Sequence, residues 1–193
     1  AMEGPSRREL MNELRAEHGA SQIERSLAIL NIDPPDHTRI RKLVSKAFTP
    51  RAVERIRASA ATRVDAILDD LAGRGEPVDL ISELAFPLPF AVINEMLGMP
   101  ESGDILQLRA WSHTITQILD PLLAMAHPNE IIDASINMRG VIAEAIAWKR
   151  HRDDDDILAA MIHAEEDGET LNDAELLENV MLLFLAGHET TVN

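Results

Sequence analysis

The sequence contains no cysteine and no tyrosine, and aromatic residues make up only 3% of its 193 residues. Without cysteine the chain cannot form a disulfide, a thiolate zinc site or a cysteine nucleophile. The scarcity of aromatic side chains disfavours a base-stacking surface for nucleic acids. The formal net charge of -15 argues the same way, because phosphate contacts need a basic surface. We therefore expect no nucleic-acid partner.

Long apolar runs are also lacking. The longest strongly apolar stretch, 180–187, is far shorter than the roughly 20 residues that cross a bilayer. The first residues show no apolar core of a signal peptide. These absences predict a cytoplasmic protein with no membrane partner. The 46% of hydrophobic residues suits a folded domain with a substantial core.

The positive charge that is present is concentrated in one segment. Eight basic residues and a single acid, Glu54, lie between positions 37 and 63, so that this segment carries +7 against -22 for the remainder. A basic patch of this kind steers an acidic partner or holds an anionic ligand, or else it is the solvated face of two helices. The eight residues are Arg39, Arg41, Lys42, Lys46, Arg51, Arg55, Arg57 and Arg63.

Apolar residues recur at helical spacing along most of the chain, and strand-like alternation is hard to find. Asp33 before Pro34 and Thr49 before Pro50 are typical of helix starts. Asn172 and Glu175 have the spacing of a capping box. We predict an all-α (mainly α) fold in one domain, 1–193, since no repeat or linker interrupts it. The predicted helices are 7–17, 33–47, 50–73, 80–97 with a break at Pro87 and Pro89, 101–119, 131–146, 157–166 and 172–193, while 21–30 is a short helix or a loop.

The last predicted helix contains an unusual polar cluster. An apolar run, 180–186, continues directly into Gly187, His188, Glu189, Thr190 and Thr191. Burying such groups is costly unless they find partners, so either this is a functional site or the helix leaves the core at Gly187. A glycine here also permits a close approach by a neighbour.

Metal sites are not predicted. The pair His188-Glu189 begins the zinc-protease pattern H-E-x-x-H, but Val192 stands where the second histidine is required. The acidic run 153–156 lacks the glycine and terminal glutamate of a calcium loop. We interpret that run as a solvated helix start.

Three separated segments together resemble the bacterial cytochrome P450 family. The stretch 33–50 is similar to the family's helix C, and 86–100 is similar to the segment around helix E. The run Ala186-Gly187-His188-Glu189-Thr190-Thr191 matches the signature A-G-x-[DE]-T-[TS] of the long I-helix over the haem. The resemblance covers about residues 22–193.

The resemblance implies a haem cofactor and a site. His37 and Arg41, four apart on one helix face, would contact the haem propionates; from spacing alone they are either an anion-binding pair or a surface pair. Ala186 and Gly187 would lie against the distal face of the haem, with Thr191 among the cofactor-binding residues. Thr190 would bond bound oxygen, and Glu189 would relay protons. The substrate would be a small organic molecule, and the basic segment 39–63 would face an acidic redox partner of the ferredoxin type.

The sequence also departs from the family. A P450 uses a cysteine thiolate as axial ligand, and this chain has no cysteine, no later E-x-x-R helix and only about half of a family member's length. We therefore expect a truncated P450-type monooxygenase, without most of the family's β-sheet, that is inactive by itself. The alternative is a non-enzymatic helical binding or assembly module. Because a central apolar helix without its remaining neighbours leaves apolar surface uncovered, we predict a homo-oligomer.

Overall fold

The computed structural model describes residues 27–100 and 105–192, and these are mostly helical. In chain order the helices are α1 (Asp36–Ala47), α2 (Pro50–Arg74), α3 (Pro87–Leu97), α4 (Ile105–Thr116), α5 (Pro121–Ala126), α6 (Pro128–Lys149), α7 (Ile157–Ile162) and α8 (Asp173–Val192). A π-helical turn, Ile81–Ala85, precedes α3, and single 3-10 turns occur at Ile29–Asn31 and Gln117–Leu119. The predicted mainly α fold is confirmed.

Several helix ends follow directly from the local sequence. Thr49 caps α2, since its hydroxyl oxygen accepts a hydrogen bond from the amide of Ala52 at 3.1 Å. Gly75 ends the same helix in the left-handed conformation. Asn172 and Glu175 form the predicted capping box reciprocally, with each side chain accepting from the other residue's amide at 2.9–3.0 Å.

The predicted start of the first described helix was wrong. Helix α1 begins at Asp36 rather than at Pro34, and Asp33 provides no cap. Proline disfavours α conformation in the residue before it, so Pro35 keeps Pro34 outside the helix. The helix restarts at Pro87 rather than Pro89, because a proline is tolerated in a first turn. The predicted helix 7–17 lies outside the described residues.

Two further elements were missed. Residues 120–128 lie between the predicted helices 101–119 and 131–146, where no helix was predicted, and they contain α5, which Asp120 caps by accepting from the amides of Leu122 and Leu123. The helix expected over 157–166 ends at Ile162, and its remainder pairs as β1 (Glu165–Glu166) with β2 (Glu169–Thr170) in an antiparallel hairpin. Asp167 and Gly168 both take positive φ, as an Asp-Gly hairpin turn requires.

The core is built around α8. Helices α3, α4, α6 and α7 all contact it, and its residues Leu176, Val180 and Phe184 are at most 2% exposed. Leu97 of α3 and Met138 of α6 are fully buried in the same cluster. As predicted, the last helix is therefore the central one, and it has a buried face through most of its length.

Most of the basic segment is neutralised within the fold. Six of its eight cations pair with carboxylates, most of them contributed by distant parts of the chain: Arg39 with Glu169 and Glu175, Lys46 with Glu166, Arg51 and Arg55 with Asp155, Arg57 with Glu54, and Arg63 with Glu95. Helix α1 is tied to the hairpin and to α8 in this way. Only Arg41 and Lys42 of the eight form no ion pair with a described residue.

The acidic run 153–156 is more than the solvated helix start that we predicted. Asp156 caps α7, and both it and Asp154 pair with Lys149, which is 3% exposed. Hydrogen bonds from Arg152 and Lys149 lower the pKa of Asp154 to about 2. Burying an ammonium is tolerated because carboxylates compensate its lost hydration.

None of the helices in residues 27–100 and 105–192 is long and apolar enough to span a membrane.

Candidate functional site

The signature segment at the end of α8 has one buried face and one open face. His188 is 0% exposed and follows Phe184 by one helical turn, on the face that packs into the core. Ala186 and Thr190, also one turn apart, are exposed. The core therefore does not end at Gly187, and the polar cluster divides between the interior and an open helix surface.

His188 is the best-enclosed polar side chain of this segment. Its ring lies between 5.2 and 5.9 Å, centroid to centroid, from the rings of Phe86, Phe90 and Phe184. Nδ1 lies 2.7 Å from the carbonyl oxygen of Phe184, and Nε2 lies 2.8 Å from the hydroxyl of Ser112 on α4. Burial lowers the pKa of His188, against the opposing influence of the Phe184 carbonyl and of Glu189. The ring is thus held at both nitrogens in an apolar cage.

Glu189 is directed toward α4. Its Oε1 accepts from the Ser112 hydroxyl at 3.1 Å and lies 3.3 Å from Nε2 of His188. Its Oε2 lies 3.5 Å from the Thr116 hydroxyl, one turn further along α4. The predicted acid therefore shares a hydroxyl with the neighbouring imidazole, which places Ser112 at the centre of a three-residue cluster.

Gly187 faces α3 closely. A Cβ atom built on Gly187 would lie 2.7 Å from Cδ1 and 2.9 Å from Cγ1 of Ile93, distances that real side chains essentially never show. The close approach predicted for this glycine is therefore that of a core isoleucine, which is 6% exposed.

Both threonines turn their hydroxyls back onto α8. Thr190 donates to the carbonyl of Ala186 at 2.7 Å, and Thr191 lies 3.5 Å from the carbonyl of Gly187. Such bonds satisfy a hydroxyl on an exposed helix surface. The methyl group of Ala186 and the hydroxyl of Thr190 accordingly form part of the open face of α8.

His37 and Arg41 lie elsewhere, on α1. They line an open cleft of about 420 Å³, together with Thr38, Lys42, Ser45, Lys46 and Glu166. Helix α1 meets α8 through the pair Arg39–Glu175, and Glu175 precedes Ala186 by 11 residues, or about 16 Å of helix. The six-residue signature on α8 and the His37–Arg41 pair on α1 are therefore two separate places in the structure.

Two residues of the cluster were missed from the sequence. Ser112 and Thr116 stand four apart on α4, with no motif around them, and only the crossing of α4 and α8 brings them to Glu189. A weak signal existed, since a serine amid the apolar residues of an amphipathic helix is expected to find a partner. Among the described residues no group of three or more metal-binding side chains occurs.

A helical fold with an A-G-x-E-T-T segment on its central helix is typical of the cytochrome P450 family, and the comparisons establish that family. The family model described as Cytochrome P450 matches residues 9–193, a start earlier than the expected position 22. This chain belongs to the cytochrome P450 family.

Curated relatives give the same result. Cytochrome P450 107B1 of Saccharopolyspora erythraea is 47% identical over 165 residues, which are 86% of this chain and 38% of the relative. Cytochrome P450 monooxygenase PikC of Streptomyces venezuelae is 41% identical over 167 residues, again 86% of this chain and 38% of the relative. The chain thus spans about 40% of the length of the curated relatives that it matches.

Solved structures agree with the sequence relatives. PksS, a P450 of the bacillaene polyketide synthase of Bacillus subtilis, superimposes with a TM-score of 0.76 at 32% identity, over 94% of this chain and 48% of that protein. P450BioI, solved in complex with a ligated acyl carrier protein, also has a TM-score of 0.76, at 30% identity, over 87% of this chain and 42% of its own.

Proposed function

We propose that this chain forms the distal part of a haem-dependent monooxygenase, with the open face of α8 directed toward the haem. The observation that carries the proposal is the division of the signature segment. Ala186 and Thr190 are exposed on one face, while Glu189 beside them accepts a hydrogen bond from Ser112 of α4. A flat apolar group requires a helix face with small side chains, and this face has them.

The residues of the α1 cleft fit the carboxylates of a haem. Arg41 and Lys42 form no ion pair with a described residue, and His37 is half-buried beside them. A guanidinium offers a fork of donors suited to a carboxylate. We therefore assign His37 and Arg41 to the propionates, with Ala186, Gly187 and Thr191 as the remaining haem-binding residues. Gly187 contacts Ile93, so in this proposal it acts on the haem site by letting α3 and α8 approach each other.

When bound, haem supplies the activation of dioxygen, and the chain's own residues supply protons and shape. Thr190 offers a hydroxyl at the open face, and Glu189, which accepts a hydrogen bond from Ser112, offers a carboxyl to relay protons. The substrate in this proposal is a small organic molecule.

This chain alone does not complete such a site. It has no cysteine, so it cannot provide the thiolate that promotes O–O cleavage in this family. We propose that the 193 residues fold as a single domain that is inactive by itself. After haem is added, we expect the reduced, CO-treated chain to lack a thiolate-type Soret band; such a band from this polypeptide alone would contradict the proposal.

Haem titration tests the propionate assignment. In Arg41→Ala we expect about tenfold weaker haem binding, corresponding to about 1.4 kcal/mol for one charge-assisted hydrogen bond. Arg57→Ala removes an equally charged residue that is engaged with Glu54 on α2, and we expect no change there. Absence of haem binding by the unaltered chain, or equal losses in both variants, would refute the assignment.

The basic segment 39–63 is proposed to face an acidic redox partner of the ferredoxin type. Since six of its eight cations already pair internally, Arg41 and Lys42 are the groups with charge to offer. A partner bound there is expected to release on raising the salt concentration, because exposed charges are screened. If Lys42→Ala binds a ferredoxin as tightly as the unaltered chain at low salt, this placement is wrong.

A second candidate function, a helical assembly module without enzymatic activity, is favoured by one observation. Leu119, Leu122, Leu123 and Met125, within seven consecutive residues, are between 42% and 78% exposed. Contiguous exposed apolar side chains promote association. We propose a homo-oligomer on this ground, and light scattering that shows a monomer at high concentration would contradict it. A cytoplasmic location stays a prediction.

A further inference from the structure

A buried amide on α8 holds the chain segment that precedes α1. Asn179 is 1% exposed and lies one helical turn after Glu175. Its Oδ1 accepts a hydrogen bond from the backbone amide of Ile29 at 3.0 Å, and its Nδ2 donates to the carbonyl oxygens of Leu27 at 3.2 Å and Glu175 at 2.7 Å. One side chain thus bonds the backbone on both sides of Ala28, although Ile29 is 150 positions away along the sequence.

These three bonds require an amide in one orientation. The backbone amide of Ile29 can only donate, whereas the carbonyl oxygens of Leu27 and Glu175 can only accept. An asparagine with its oxygen toward Ile29 satisfies all three groups. An ionised aspartate would keep one bond and turn a carboxylate oxygen toward two carbonyl oxygens. Because the side chain is buried, groups that lost their partner there would stay unsatisfied.

The segment that Asn179 holds leads directly into α1. The turn Ile29–Asn31 contacts α1. Further along, the carbonyl oxygen of Asp33 accepts a hydrogen bond from the amide of His37 at 3.1 Å. Only residues 32–36 separate the turn from His37, so a movement of the turn is passed on to the start of α1.

A second contact from α8 holds α1 itself. Glu175, one turn before Asn179, pairs with Arg39, and its side chain is 8% exposed. His37 and Arg41 are each two residues from Arg39, which places them about 200° away around the helix. The ion pair therefore holds one side of α1 toward α8 and leaves the other side to the cleft.

Asn179 also lies on the face of α8 that is open further along. Seven residues make almost two turns, so Ala186 lies about 10 Å beyond Asn179 and only about 20° away around the helix. Ala186 is exposed, whereas Asn179 is buried because segment 27–29 crosses the face at that point. Along α8, Asn179 is thus between the contact with α1 at Glu175 and the open face.

We propose that Asn179 is a positioning residue of the haem site: by fixing segment 27–29 on α8, it sets the distance between the α1 cleft and the open face of α8. The ring of a haem is rigid and its carboxylates are attached by short arms, so one haem reaches both places only if their spacing is held. Holding that spacing in advance lowers the cost of binding. The role toward haem rests on the proposed function, whereas the placement of α1 by Asn179 does not.

Two spin labels measure this distance without haem. The chain has no cysteine, so Ser45→Cys on α1 and Thr190→Cys on α8 provide the only attachment sites. By double electron–electron resonance of the labelled 193-residue chain, we expect one narrow distance distribution. It should broaden or shift in Asn179→Ala and in Asn179→Asp. It should stay narrow in the matched control Asn94→Ala, whose amide donates to Phe90 of its own helix.

The aspartate variant separates hydrogen bonding from packing. We expect both Asn179 variants to release the segment, whereas a cavity left by the shortened side chain would affect the alanine variant alone. An unchanged distance distribution in folded Asn179→Asp would overturn the proposal. If neither variant folds, hydrogen exchange in the unaltered chain decides, since the amide of Ile29 should be as protected as the amides of α8. Fast exchange at Ile29 would overturn the proposal.

Haem titration tests the role toward the cofactor. Arg41→Ala should weaken haem binding about tenfold in the unaltered chain, but less than about threefold in the Asn179→Ala background, because a displaced α1 no longer offers Arg41 to the carboxylate. A merely structural role of Asn179 would leave the two losses independent. Equal losses from Arg41→Ala in both backgrounds would therefore overturn the positioning role.

The two measurements separate this inference from the proposed function. A chain whose label distance depends on Asn179 but which binds no haem keeps the placement of α1 and overturns the function. A chain that binds haem through Arg41 equally well with and without the Asn179 amide does the reverse.

Discussion

The contact between Gly187 and Ile93 can be tested by substituting the glycine with alanine. A Cβ at position 187 would lie 2.7, 2.9 and 3.3 Å from three consecutive carbons of the Ile93 side chain. Ile93 is 6% exposed and packed in the core, so the whole side chain must shift, not just its flexible end. Overpacking of this kind costs about 1–3 kcal/mol.

The higher helix propensity of alanine opposes this overpacking cost. Replacing a helical glycine with alanine gains about 1 kcal/mol through helix propensity. Gly140 on α6 supplies this reference, because a Cβ there has no neighbour within 4 Å. We expect Gly140→Ala to raise the free energy of unfolding by about 1 kcal/mol. Gly187→Ala should then be less stable than Gly140→Ala by the overpacking cost alone, about 1–3 kcal/mol.

Urea denaturation measured at equilibrium gives both values. Ile93→Val, which deletes the Cδ1 atom, adds a double-mutant cycle: alone it should cost about 0.5–1.5 kcal/mol, and less in the Gly187→Ala background. If Gly187→Ala gains as much stability as Gly140→Ala, the α3–α8 contact is not as close as described. Strict additivity with Ile93→Val would also contradict the reasoning.

Two further predictions concern ion pairing and capping. The folded-state pKa of Asp154, about 2, is below its unfolded value of about 3.9, so Asp154 stabilises the fold above pH 4 and this contribution is lost as the pH falls from 4 to 2. Asp154→Asn should flatten the pH dependence of the unfolding midpoint in that window, and an unchanged slope would show that the bonds to Lys149 and Arg152 do not form. Thr49→Ala should cost about 1 kcal/mol by removing the α2 cap, whereas Thr62→Ala, in the exposed interior of α2, should change the urea midpoint little; equal effects would contradict the capping.

Local signals located most helices and their ends. Thr49, Gly75 and the Asn172–Glu175 capping box act through groups only a few residues away, so the sequence carries the whole interaction. The errors arose where the signal was ambiguous. Residues 165–166, the first strand of the hairpin, were assigned to the predicted helix 157–166, although the Asp-Gly pair that follows them is a strong hairpin signal. Two-residue strands have no periodicity to detect.

Counting charges along the sequence did not predict how they pair in the fold. The +7 segment suggested an open basic surface, but Asp155, Glu166 and Glu175 come to it from more than 90 positions away. The net charge of a segment does not indicate which oppositely charged side chains the fold will place beside it. Likewise, Asp154 and Asp156 of the acidic run form ion pairs with the buried Lys149.

The sequence by itself determined the helical architecture, the absence of a thiolate ligand and the presence of the signature 186–191, since each depends on residue identity and spacing alone. Only the tertiary structure decided that Gly187 makes room for Ile93, that Ser112 joins His188 to Glu189, and that Arg41 and Lys42 form no ion pair with a described residue. The physical reason is that these facts depend on side chains from crossing helices, whose distances are set by packing around α8.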